Sequence, residues 1–336
     1  MRVTSYHVVM KILVTGGAGF IGANFIHHWR KSHPDDHIVN LDALTYAANR
    51  QNVAGLEGDP QYTFIQGDIC DGELVARALD QVEVVVHFAA ESHVDRSVRE
   101  PASFVRTNVL GTQTLLEAAL RQGVKRFHHV STDEVFGALG LDTPERFNEE
   151  TPYNPHSPYS ASKAGSDHLV RAYSTTFGLP VTISNTSNNY GRFQFPEKLI
   201  PVLILKALSN EPLPIYGDGK NVRDWIHVED HCAGIVAILE KGRLGETYCL
   251  GGNAEQSNLE IAQKILAMTG KPESLIQFVE DRPGHDRRYA IDSTKAETEL
   301  GWQRRYTFED GLAATVQWYT EHAGSLTVNE QGIHIK

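Results

Sequence analysis

The first half of the chain alternates short apolar runs with segments of helical periodicity. The apolar runs are continuous and do not alternate with polar residues. Continuous apolar strands separated by helices are typical of a parallel sheet that helices cover on both faces. The sequence therefore predicts an α/β fold with a doubly wound parallel sheet of the Rossmann type. The predicted strands are residues 11–15, 38–41, 62–65, 84–87, 127–130 and 181–183, and the main predicted helices are residues 20–31, 101–121 and 157–177.

The regular alternation of apolar strands and helices ends after about residue 188. Four prolines (Pro196, Pro201, Pro212 and Pro214) break the following stretch into shorter pieces. Proline removes a backbone donor and fixes φ, so long helices and central strands do not continue through it. We predict a first domain over residues 10–187 and a smaller C-terminal α/β lobe over most of residues 188–336. A segment near residues 225–250 is expected to return to the first sheet.

A glycine-rich turn follows the first predicted strand and opens the first helix. Gly16, Gly19 and Gly22 allow a tight turn, close backbone approach and close packing, and Phe20 and Ile21 begin the helix. The N–H groups and positive dipole of a helix N-terminus suit a pyrophosphate. The strand–turn–helix context makes this turn more specific than a glycine pattern alone. The turn predicts a dinucleotide site.

Acidic and small residues after the next strands extend this site. Asp42 ends the second strand, 20 residues beyond Gly22. A carboxylate there accepts hydrogen bonds from a ribose 2′-hydroxyl and repels a 2′-phosphate, which favours NAD over NADP. Asp68 and Ile69, after the third strand, are candidates for flanking the adenine, although Asp68 is almost as well explained as a helix cap. Ala89, Ala90 and Ser92 follow the fourth strand and are expected to line the pyrophosphate and nicotinamide.

The candidate chemistry lies after the fifth strand and in the helix that follows. Tyr159 and Lys163 are separated by one helical turn, so they share a face. A nearby cation favours the phenolate, and the sequence therefore predicts a Tyr159 pKa lowered toward neutral and a tyrosine base. Thr132 is placed to hold a sugar hydroxyl against that base. The adjacent carboxyl groups of Asp133 and Glu134 can act as an acid and a base, which elimination of water requires and oxidation alone does not.

Composition narrows the classes of partner. The net charge of −11 argues against nucleic acid or an anionic membrane as the main ligand, so an anionic substrate needs a local cluster of Arg and Lys. Three cysteines without C-x-x-C spacing indicate reduced thiols. We find no apolar run long enough for a membrane span and no signal-peptide pattern, and residues 1–9 are expected to be an extension or a mis-assigned start. These features lead us to expect a cytoplasmic protein.

With these motifs in place, the chain resembles the extended short-chain dehydrogenase/reductases, and among them the dTDP-glucose 4,6-dehydratases. The resemblance covers nearly the whole chain from Met10 onward. Phe136 stands where the family usually has Tyr, and Arg192 where it usually has Pro; neither position carries the chemistry. The motifs that carry the resemblance are residues 16–22, 44–47, 89–97, 131–137, 159–163, 187–191, 195–201, 213–217, 223–225 and 282–290.

The resemblance implies a sugar-nucleotide hydro-lyase with tightly bound NAD. Tyr159, assisted by Lys163 and Thr132, would take the proton of the glucose C4 hydroxyl while hydride passes to NAD. Glu134 would then remove the C5 proton and Asp133 would protonate the departing C6 hydroxyl. Hydride return to C6 would give a 4-keto-6-deoxy sugar nucleotide and regenerate NAD. The resemblance also implies a homodimer, through the helices over residues 101–121 and 157–177.

Further binding residues follow from the same resemblance. Leu44, Thr45, Thr107 and Asn189 join the cofactor site, to which Tyr159 and Lys163 also belong. The resemblance also places Ser92 and Thr132 in the substrate site. It assigns the diphosphate and base of the substrate to Asn188, Lys198, Leu199, Pro214, Ile215, Tyr216, Arg223, Asn258, His285, Arg288 and Tyr289. Arg223 and Arg288 suit phosphate physically, because a guanidinium makes charge-assisted hydrogen bonds to it.

Several alternatives stay open on the sequence. UDP-glucose dehydratases share this chemistry, and other relatives epimerise or decarboxylate sugar nucleotides, commonly without the Asp133–Glu134 pair. A protein that senses NAD without turnover is a more remote alternative, because such proteins tend to lose the Tyr or the Lys of the motif. Residues 227–231 (His-Val-Glu-Asp-His) invite a metal site, but the start of a helix explains them better, and no metal is expected.

Overall fold

The computed structural model describes residues 9–281, 285–323, 326–329 and 332–335. The expectation for an N-terminal extension therefore lies almost entirely outside the described residues, as does part of the motif at residues 282–290. The strands are β1 (Lys11–Thr15), β2 (His37–Asp42), β3 (Tyr62–Gln66), β4 (Val84–His87), β5 (Arg126–Thr132), β6 (Val181–Thr186), β7 (Asn188–Tyr190), β8 (Leu213–Tyr216), β9 (Val222–His227), β10 (Thr247–Leu250), β11 (Glu255–Ser257), β12 (Ile276–Val279), β13 (Leu326–Asn329) and β14 (Gly332–Ile335).

Seven of these strands form one parallel sheet in the order β10-β6-β5-β4-β1-β2-β3. The chain reverses its direction of progress between β1 and β4, which is the point where the carboxyl ends of an open α/β sheet leave a crevice for a ligand. The predicted fold class is therefore confirmed. β10 lies beside β6 at one edge, so a segment from the second half of the chain belongs to this sheet.

Helices cover both faces of the sheet, as the continuous apolar strands require. Ile12 and Val14 of β1 are buried in a core with α1 and α8, and Leu13 is buried in a second core on the opposite face. The helices are α1 (Phe20–Ser32), α2 (Gly72–Ala78), α3 (Val94–Arg99), α4 (Pro101–Phe104), α5 (Thr112–Gln122), α6 (Pro158–Phe177), α7 (Leu199–Leu208), α8 (Val228–Lys241), α9 (Asn258–Thr269), α10 (Thr294–Leu300) and α11 (Phe308–His322), with shorter 3₁₀ turns at Arg50–Leu56, Asp133–Phe136 and Glu273–Leu275.

The C-terminal lobe has its own core under two small sheets. β7, β9 and β11 form one sheet, and β8 and β12 form the other. α7, α9 and α11 pack together around Leu203, Ile261 and Leu312, which are fully buried. β13 and β14 pair as an antiparallel hairpin. Over the described residues, no helix is both long and apolar enough to cross a membrane.

The helix predicted over residues 101–121 departs from regular α geometry in its middle. α4 continues directly into a π-helical segment, Val105–Gly111, and only then into α5. Hydrophobic periodicity cannot reveal this widening, because it adds about one residue per turn without changing the apolar composition. π segments are frequent at functional sites. Here the segment carries Thr107, which lines the cavity described below, and Asn108, which holds the backbone of Glu91.

Candidate active site

A cavity of about 340 Å³ runs along the carboxyl ends of the central strands. It takes its walls from the glycine turn, from the segments after β2, β3, β4 and β5, and from α6. Every residue predicted to bind the cofactor lines it except Leu44. The lining thus includes Gly16, Gly19, Phe20, Ile21, Gly22, Asp42, Thr45, Asp68, Ile69, Ala89, Ala90, Ser92, Thr107, Tyr159, Lys163 and Asn189. The cavity also contains all five predicted catalytic residues.

The glycine turn has no room for side chains. Gly16 has a φ of +72°, and a Cβ there would lie 2.7 Å from the backbone nitrogen of Ala89. A Cβ on Gly22 would lie 2.3 Å from the carbonyl oxygen of Gly16. At these two glycines the turn therefore presents backbone without side chains, directly before and within the first turn of α1. Its geometry fits the pyrophosphate of a dinucleotide, which needs close approach to backbone N–H groups.

Asp42 is fixed at the end of β2 by two backbone donors. Its carboxylate accepts hydrogen bonds from the N–H of Ala18 and the N–H of Leu44, each at 2.8 Å. Leu44 contributes in this indirect way, through its backbone N–H, and its own backbone is left-handed (φ 52°). Burial raises the pKa of Asp42, and the backbone hydrogen bonds oppose that rise. The carboxylate faces the cavity where the sequence argument requires a ribose acceptor.

Asp68 does not act as the cap of α2. Asp71 caps that helix, while Asp68 accepts the N–H of Cys70 and forms an ion pair with Arg106 at 2.8 Å. Both Asp68 and Ile69 still line the cavity. The alternative of a helix cap is therefore excluded for Asp68, and its placement fits the predicted flank of the cofactor.

The catalytic candidates come from two adjoining elements. β5 ends at Thr132, and the 3₁₀ turn that follows carries Asp133 and Glu134. α6 begins with a capping box at Ser157, which sets its first turn and thereby places Tyr159 and Lys163 beside the end of β5. The Thr132 hydroxyl donates to Oδ1 of Asp133 at 3.4 Å, and all five catalytic candidates line the cavity. The five side chains therefore meet in one place.

Of the carboxyl groups of Asp133 and Glu134, that of Asp133 is the more deeply buried, with 1% of the residue's surface exposed. Its Oδ2 makes no hydrogen bond within the described residues. Burial raises the pKa of Asp133 well above its usual range, and the negative charges of Glu134 and Asp224 add to the effect. A carboxyl group in this environment favours its protonated form, which is the form of a general acid.

The sequence predicted a lowered pKa for Tyr159, and this prediction is wrong: the residues of this chain raise it. Burial raises the pKa of Tyr159, the charge of Glu134 raises it further, and the hydrogen bond with Thr132 lowers it. Lys163 is turned elsewhere: its Nζ donates to the carbonyl oxygen of Val130 at 2.8 Å, and burial lowers its pKa to about 8. One turn of helix sets two side chains on a face, but it does not make them touch.

A buried polar cluster beneath the site was missed by the sequence reasoning. Asp167 is fully buried and accepts hydrogen bonds from Ser131 and Tyr153 at 2.8 and 2.7 Å. Its other oxygen lies 3.1 Å from Nε2 of His129, which in turn lies 3.5 Å from Nζ of Lys163. The available signal was its spacing, because Asp167 follows Lys163 by four residues on the same helix.

The predicted substrate residues fall into two groups. Ser92, Thr132, Asn188 and Lys198 line the cavity, and Nζ of Lys198 donates to the carbonyl oxygen of Ser92 at 2.8 Å. The others lie outside the cavity lining, in the C-terminal lobe and its connections; they are Leu199, Pro214, Ile215, Tyr216, Arg223, Asn258, His285, Arg288 and Tyr289. The site that the structure assembles is therefore the cofactor and sugar end.

The two arginines are held differently. Arg223 donates to the carbonyl oxygens of Val222 and Asp286, and its guanidinium lies 4.2 Å from the ring centre of Tyr289. Arg288 forms an ion pair with Glu255 at 2.6 Å and also donates to the backbone of the loop at residues 143–145. No sequence pattern indicates that Arg288 has an acidic partner, and Glu255 competes with any phosphate for this arginine.

Other residues of the cavity were not predicted as binding residues. Ser187, Gln194, Phe195 and Glu197 are among them. Oδ1 of Asn188 and Oε1 of Gln194 are buried without a hydrogen bond in the described part of the chain. Buried polar atoms are normally satisfied, so these oxygens fit a polar ligand in the cavity.

Residues 227–231, which invited a metal site on the sequence, form the start of α8. His227 accepts the backbone N–H of Glu229 as the N-cap of α8, and the buried His231 contacts Oδ1 of Asn189 at 2.8 Å. Within residues 9–281 and 285–323, no group of three or more His, Cys, Asp or Glu side chains is arranged around a metal position.

Comparisons with known proteins place the chain among sugar-nucleotide enzymes. The family profile described as GDP-mannose 4,6 dehydratase matches residues 13–315. A dTDP-glucose 4,6-dehydratase of Xanthomonas campestris pv. campestris (strain B100) is 56% identical over 327 residues, covering 91% of this chain and 92% of the relative. The Haemophilus influenzae dTDP-glucose 4,6-dehydratase is 49% identical over 339 residues, covering 94% and 100%.

A solved structure agrees with these relatives. The crystal structure of a dTDP-glucose 4,6-dehydratase from Streptomyces venezuelae, with NAD bound, has a TM-score of 0.91 and 50% identity to this chain. It covers 94% of this chain and 98% of the solved one. The resemblance inferred from the motifs is confirmed by matches that span nearly the whole chain. The chain belongs to the nucleotide-sugar 4,6-dehydratase family and, within it, to the dTDP-glucose 4,6-dehydratases.

Proposed function

We propose that this protein is an NAD-dependent dTDP-glucose 4,6-dehydratase, a hydro-lyase that forms a 4-keto-6-deoxy sugar nucleotide. The observation that carries the proposal is the meeting of Asp133 and Glu134 with Tyr159 in one cavity beside the glycine turn. Oxidation at C4 needs only a base and a hydride acceptor. The additional pair of carboxyl groups, one of them in an environment that favours its acid form, supplies what elimination requires.

The bare backbone at Gly16 and Gly22 would hold the pyrophosphate of NAD, and Asp42 the adenosine ribose. When bound, NAD supplies a hydride acceptor at C4 and a hydride donor at C6, together with a positive charge on its oxidised ring. A cation close to Tyr159 favours the phenolate and opposes the rise in pKa that burial causes. Tyr159 then takes the proton of the C4 hydroxyl.

The two carboxyl groups carry the elimination. A ketone at C4 acidifies the C5 hydrogen, and Glu134, which is only partly buried, is the group we assign as its base. Asp133, protonated in its buried setting, gives its proton to the C6 hydroxyl, which leaves as water. General acid–base assistance of this kind accelerates a step by about 100- to 10,000-fold.

Lys163 and the remaining lining residues position these groups. Lys163 donates to the carbonyl oxygen of Val130 in β5 and, by analogy with the motif, would also contact the cofactor. Lys198 and Asn188 lie at the end of the cavity that leads to the C-terminal lobe, where Arg223, His285 and Tyr289 would meet the nucleotide. Leu199, Pro214, Ile215, Tyr216 and Asn258 complete the predicted nucleotide contacts.

We also propose a homodimer built on the helices over residues 101–121 and 157–177, together with α3, which precedes them. Val98, Val105 and Leu110 are large apolar side chains with 66%, 55% and 49% of their surface exposed. Exposed apolar surface that is grouped on one face is typical of an interface. Light scattering of the parent and of a Val105→Asp, Leu110→Asp variant tests this, since the variant should halve the measured mass. An unchanged dimer would exclude this face.

The unpaired state of the three cysteines agrees with a cytoplasmic location. Cys70, Cys232 and Cys249 are unpaired, and burial raises the pKa of each, which makes them poor nucleophiles. Unpaired thiols are the usual state of cysteine in a reducing compartment.

The experiment that tests the proposed function is turnover of dTDP-glucose and UDP-glucose side by side. We expect a product lighter by one water, with no net change in the oxidation state of the bound NAD, and a higher kcat/KM for the dTDP sugar. Products are measured by mass spectrometry, and NAD by denaturing the purified protein. Formation of an epimer without loss of water would overturn the assignment. A higher kcat/KM for UDP-glucose would move it to the UDP-glucose dehydratases.

A further inference from the structure

The segment that connects β7 to α7 forms part of the cavity wall. Residues 192–198, here called the strap, belong to neither a helix nor a strand. The strap contributes Gln194, Phe195, Glu197 and Lys198 to the lining of the cavity. The same cavity contains the glycine turn and the residue that ends β2. The strap is therefore one wall of the space that we assign to the cofactor.

One end of the strap is bonded to α1, the helix that the glycine turn opens. Nε of Arg192 donates to Oδ1 of Asn24 at 2.9 Å, and Nδ2 of Asn24 donates to the carbonyl oxygen of Arg192 at 3.0 Å. Asn24 is buried, so this pair of hydrogen bonds is largely protected from water. Proline, which the family usually has at position 192, has no side-chain donor for the first of these contacts. The side-chain half of the pair is therefore a feature of this chain.

The other end of the strap is bonded to the loop that follows β2. The Tyr46 hydroxyl donates to Oε1 of Glu197 at 3.1 Å, and the Tyr46 ring packs edge-on against Phe195, with ring centres 5.7 Å apart. The guanidinium of Arg96, on α3, lies 3.6 Å from the centre of the Tyr46 ring. A cation at this distance from an aromatic ring is attracted to it. Two elements of the first domain thus hold this end of the strap through one tyrosine.

The two attachments lie next to the two parts of the proposed cofactor site. Asn24 follows Gly22 of the glycine turn by two residues, and Tyr46 follows Asp42, the proposed ribose acceptor, by four. The strap therefore joins the pyrophosphate part of the cavity wall to the ribose part. We propose that Arg192 and Tyr46 are positioning residues that hold the strap across the bound dinucleotide and retain it from one turnover to the next; this rests on the proposed NAD-dependent function.

Retention is useful because the proposed reaction regenerates its own cofactor. Between the two hydride transfers the site holds a reduced cofactor together with a 4-keto sugar. Loss of the cofactor at that stage would leave the sugar oxidised at C4 and not reduced at C6. Exchange of the dinucleotide requires the strap to open locally, and opening breaks the contacts at both of its ends.

The test measures exchange of the bound cofactor. Purified protein that carries NAD is mixed with excess isotope-labelled NAD, and the bound dinucleotide is analysed by mass spectrometry after denaturation. Tyr46→Phe removes only the hydroxyl, and Arg192→Met keeps an unbranched side chain without the donor. Each variant should exchange its NAD about three- to tenfold faster than the parent, as expected for loss of one hydrogen bond. The double variant should show about the product of the two effects. With added NAD, kcat should stay within about twofold of the parent value, because neither residue is among the catalytic groups.

Tyr248→Phe is the matched control. The Tyr248 hydroxyl also donates to a glutamate, Glu299, at 3.2 Å, and Tyr248 lies outside the cavity lining. This variant should exchange NAD at the parent rate, even where its melting temperature falls. Exchange at the parent rate in both Tyr46→Phe and Arg192→Met, or equal acceleration in Tyr248→Phe, would overturn the proposed role of the strap. A parent protein that retains NAD but removes no water from dTDP-glucose would instead overturn the proposed hydro-lyase function and leave the role of the strap in place.

Discussion

The two ends of the substrate path differ in what their charged side chains contact. At the sugar end, the buried Asp133 and Lys163 form no ion pair within the part of the chain that the structure describes, and burial displaces the pKa of each toward the neutral form. At the nucleotide end, Arg288 is paired with Glu255, and His285 with Asp281. The first region keeps reactive groups in an unfavourable environment, whereas the second holds binding groups in favourable contacts.

This difference follows from what each end has to do. A general acid needs a raised pKa, and an isolated buried carboxyl group provides it. Arg288, predicted to bind phosphate, is held in position by its ion pair with Glu255, which also competes with the phosphate. The consequence is that substitutions at the sugar end should change rates, while substitutions at the nucleotide end should change KM. The predictions below test this division in order of decreasing effect.

The largest effect is expected from Tyr159→Phe. The rate of cofactor reduction by dTDP-glucose should fall by about 1,000-fold or more, because no other group is placed to take the C4 proton. The dissociation constant of the substrate should change by only a few-fold. Single-turnover absorbance of the reduced cofactor and a binding titration measure the two quantities. Tyr173→Phe, on the same helix but outside the cavity lining, is the matched control and should retain near-parent rates.

A rate of cofactor reduction near that of the parent in Tyr159→Phe would show that the base is elsewhere. An equally large loss in Tyr173→Phe would show instead that changes to α6 act through the fold. Either result would contradict the expectation that side chains at the sugar end control the reaction rate.

The second effect concerns Asp167, the buried carboxylate beneath Lys163. Burial lowers the pKa of Lys163 to about 8, and the charge of Asp167 opposes that decrease. Asp167→Asn should therefore lower the Lys163 pKa further, so the protonated lysine is lost at a lower pH. We expect the alkaline limb of the kcat profile to move to lower pH, and kcat at pH 7 to fall by about tenfold.

The control for Asp167 is another buried aspartate without a link to the site. Asp230 accepts the backbone N–H groups of Arg305 and Tyr306 at 2.9 and 3.1 Å. Asp230→Asn should lower the melting temperature and leave the pH profile in place. If both variants lose stability and neither moves the alkaline limb, Asp167 has only a structural role.

The third effect addresses the ion pair at the nucleotide end. Arg288 can bind phosphate only in competition with Glu255. Glu255→Gln weakens that competitor, so KM for dTDP-glucose should decrease by about threefold if the arginine contacts the substrate, with kcat little changed. The same substitution in an Arg288→Ala background should have no effect on KM. Initial-rate kinetics of the four proteins complete the cycle.

An increase in KM on Glu255→Gln would contradict this picture. It would mean that the ion pair supports the loop at residues 143–145, to which Arg288 also donates. The nucleotide end would then owe its affinity to Arg223 and its neighbours.

The two regions also differ in how much of their structure could be predicted from the sequence. The strands, the glycine turn and the residues of the cofactor cavity were predictable, because each depends on local pattern and on the edge where parallel strands end. Gly16 and Gly22 are examples in which the covalent chain itself dictates the geometry. The fold class and the family assignment needed no more than this.

What could not be predicted depends on contacts between distant segments. Glu255 precedes Arg288 by 33 residues and lies in β11, whereas Arg288 lies outside the strands, so no periodicity indicates their pairing. The π-helical segment leaves the apolar pattern unchanged. The pKa of Tyr159 depends on the burial and the acidic neighbours that the whole fold creates, and motif spacing alone gave the wrong sign.

The smallest effect is expected in stability, and its sign should differ between the two ends. The unfolded chain ionises Asp133 near pH 3.9, whereas burial raises the folded pKa well above that. Between these values the folded state binds more protons, so this group makes the protein less stable as pH rises. Asp133→Asn removes the effect. Its melting temperature should equal that of the parent near pH 4 and exceed it by a few degrees at pH 7.

Asp218 at the nucleotide end provides the opposite case. A hydrogen bond from Arg287 lowers the pKa of Asp218 to about 2, so its contribution is present above about pH 4 and is lost as pH falls toward 2. Asp218→Asn should therefore be slightly less stable than the parent at pH 7, by less than Asp133→Asn is more stable, because the Asp218 pair is exposed to solvent. Calorimetry of the three proteins from pH 4 to 8 measures both signs. A loss of stability in Asp133→Asn at pH 7 would show that the buried carboxyl group is favourably bonded in the folded protein, and the contrast between the two ends would then fail.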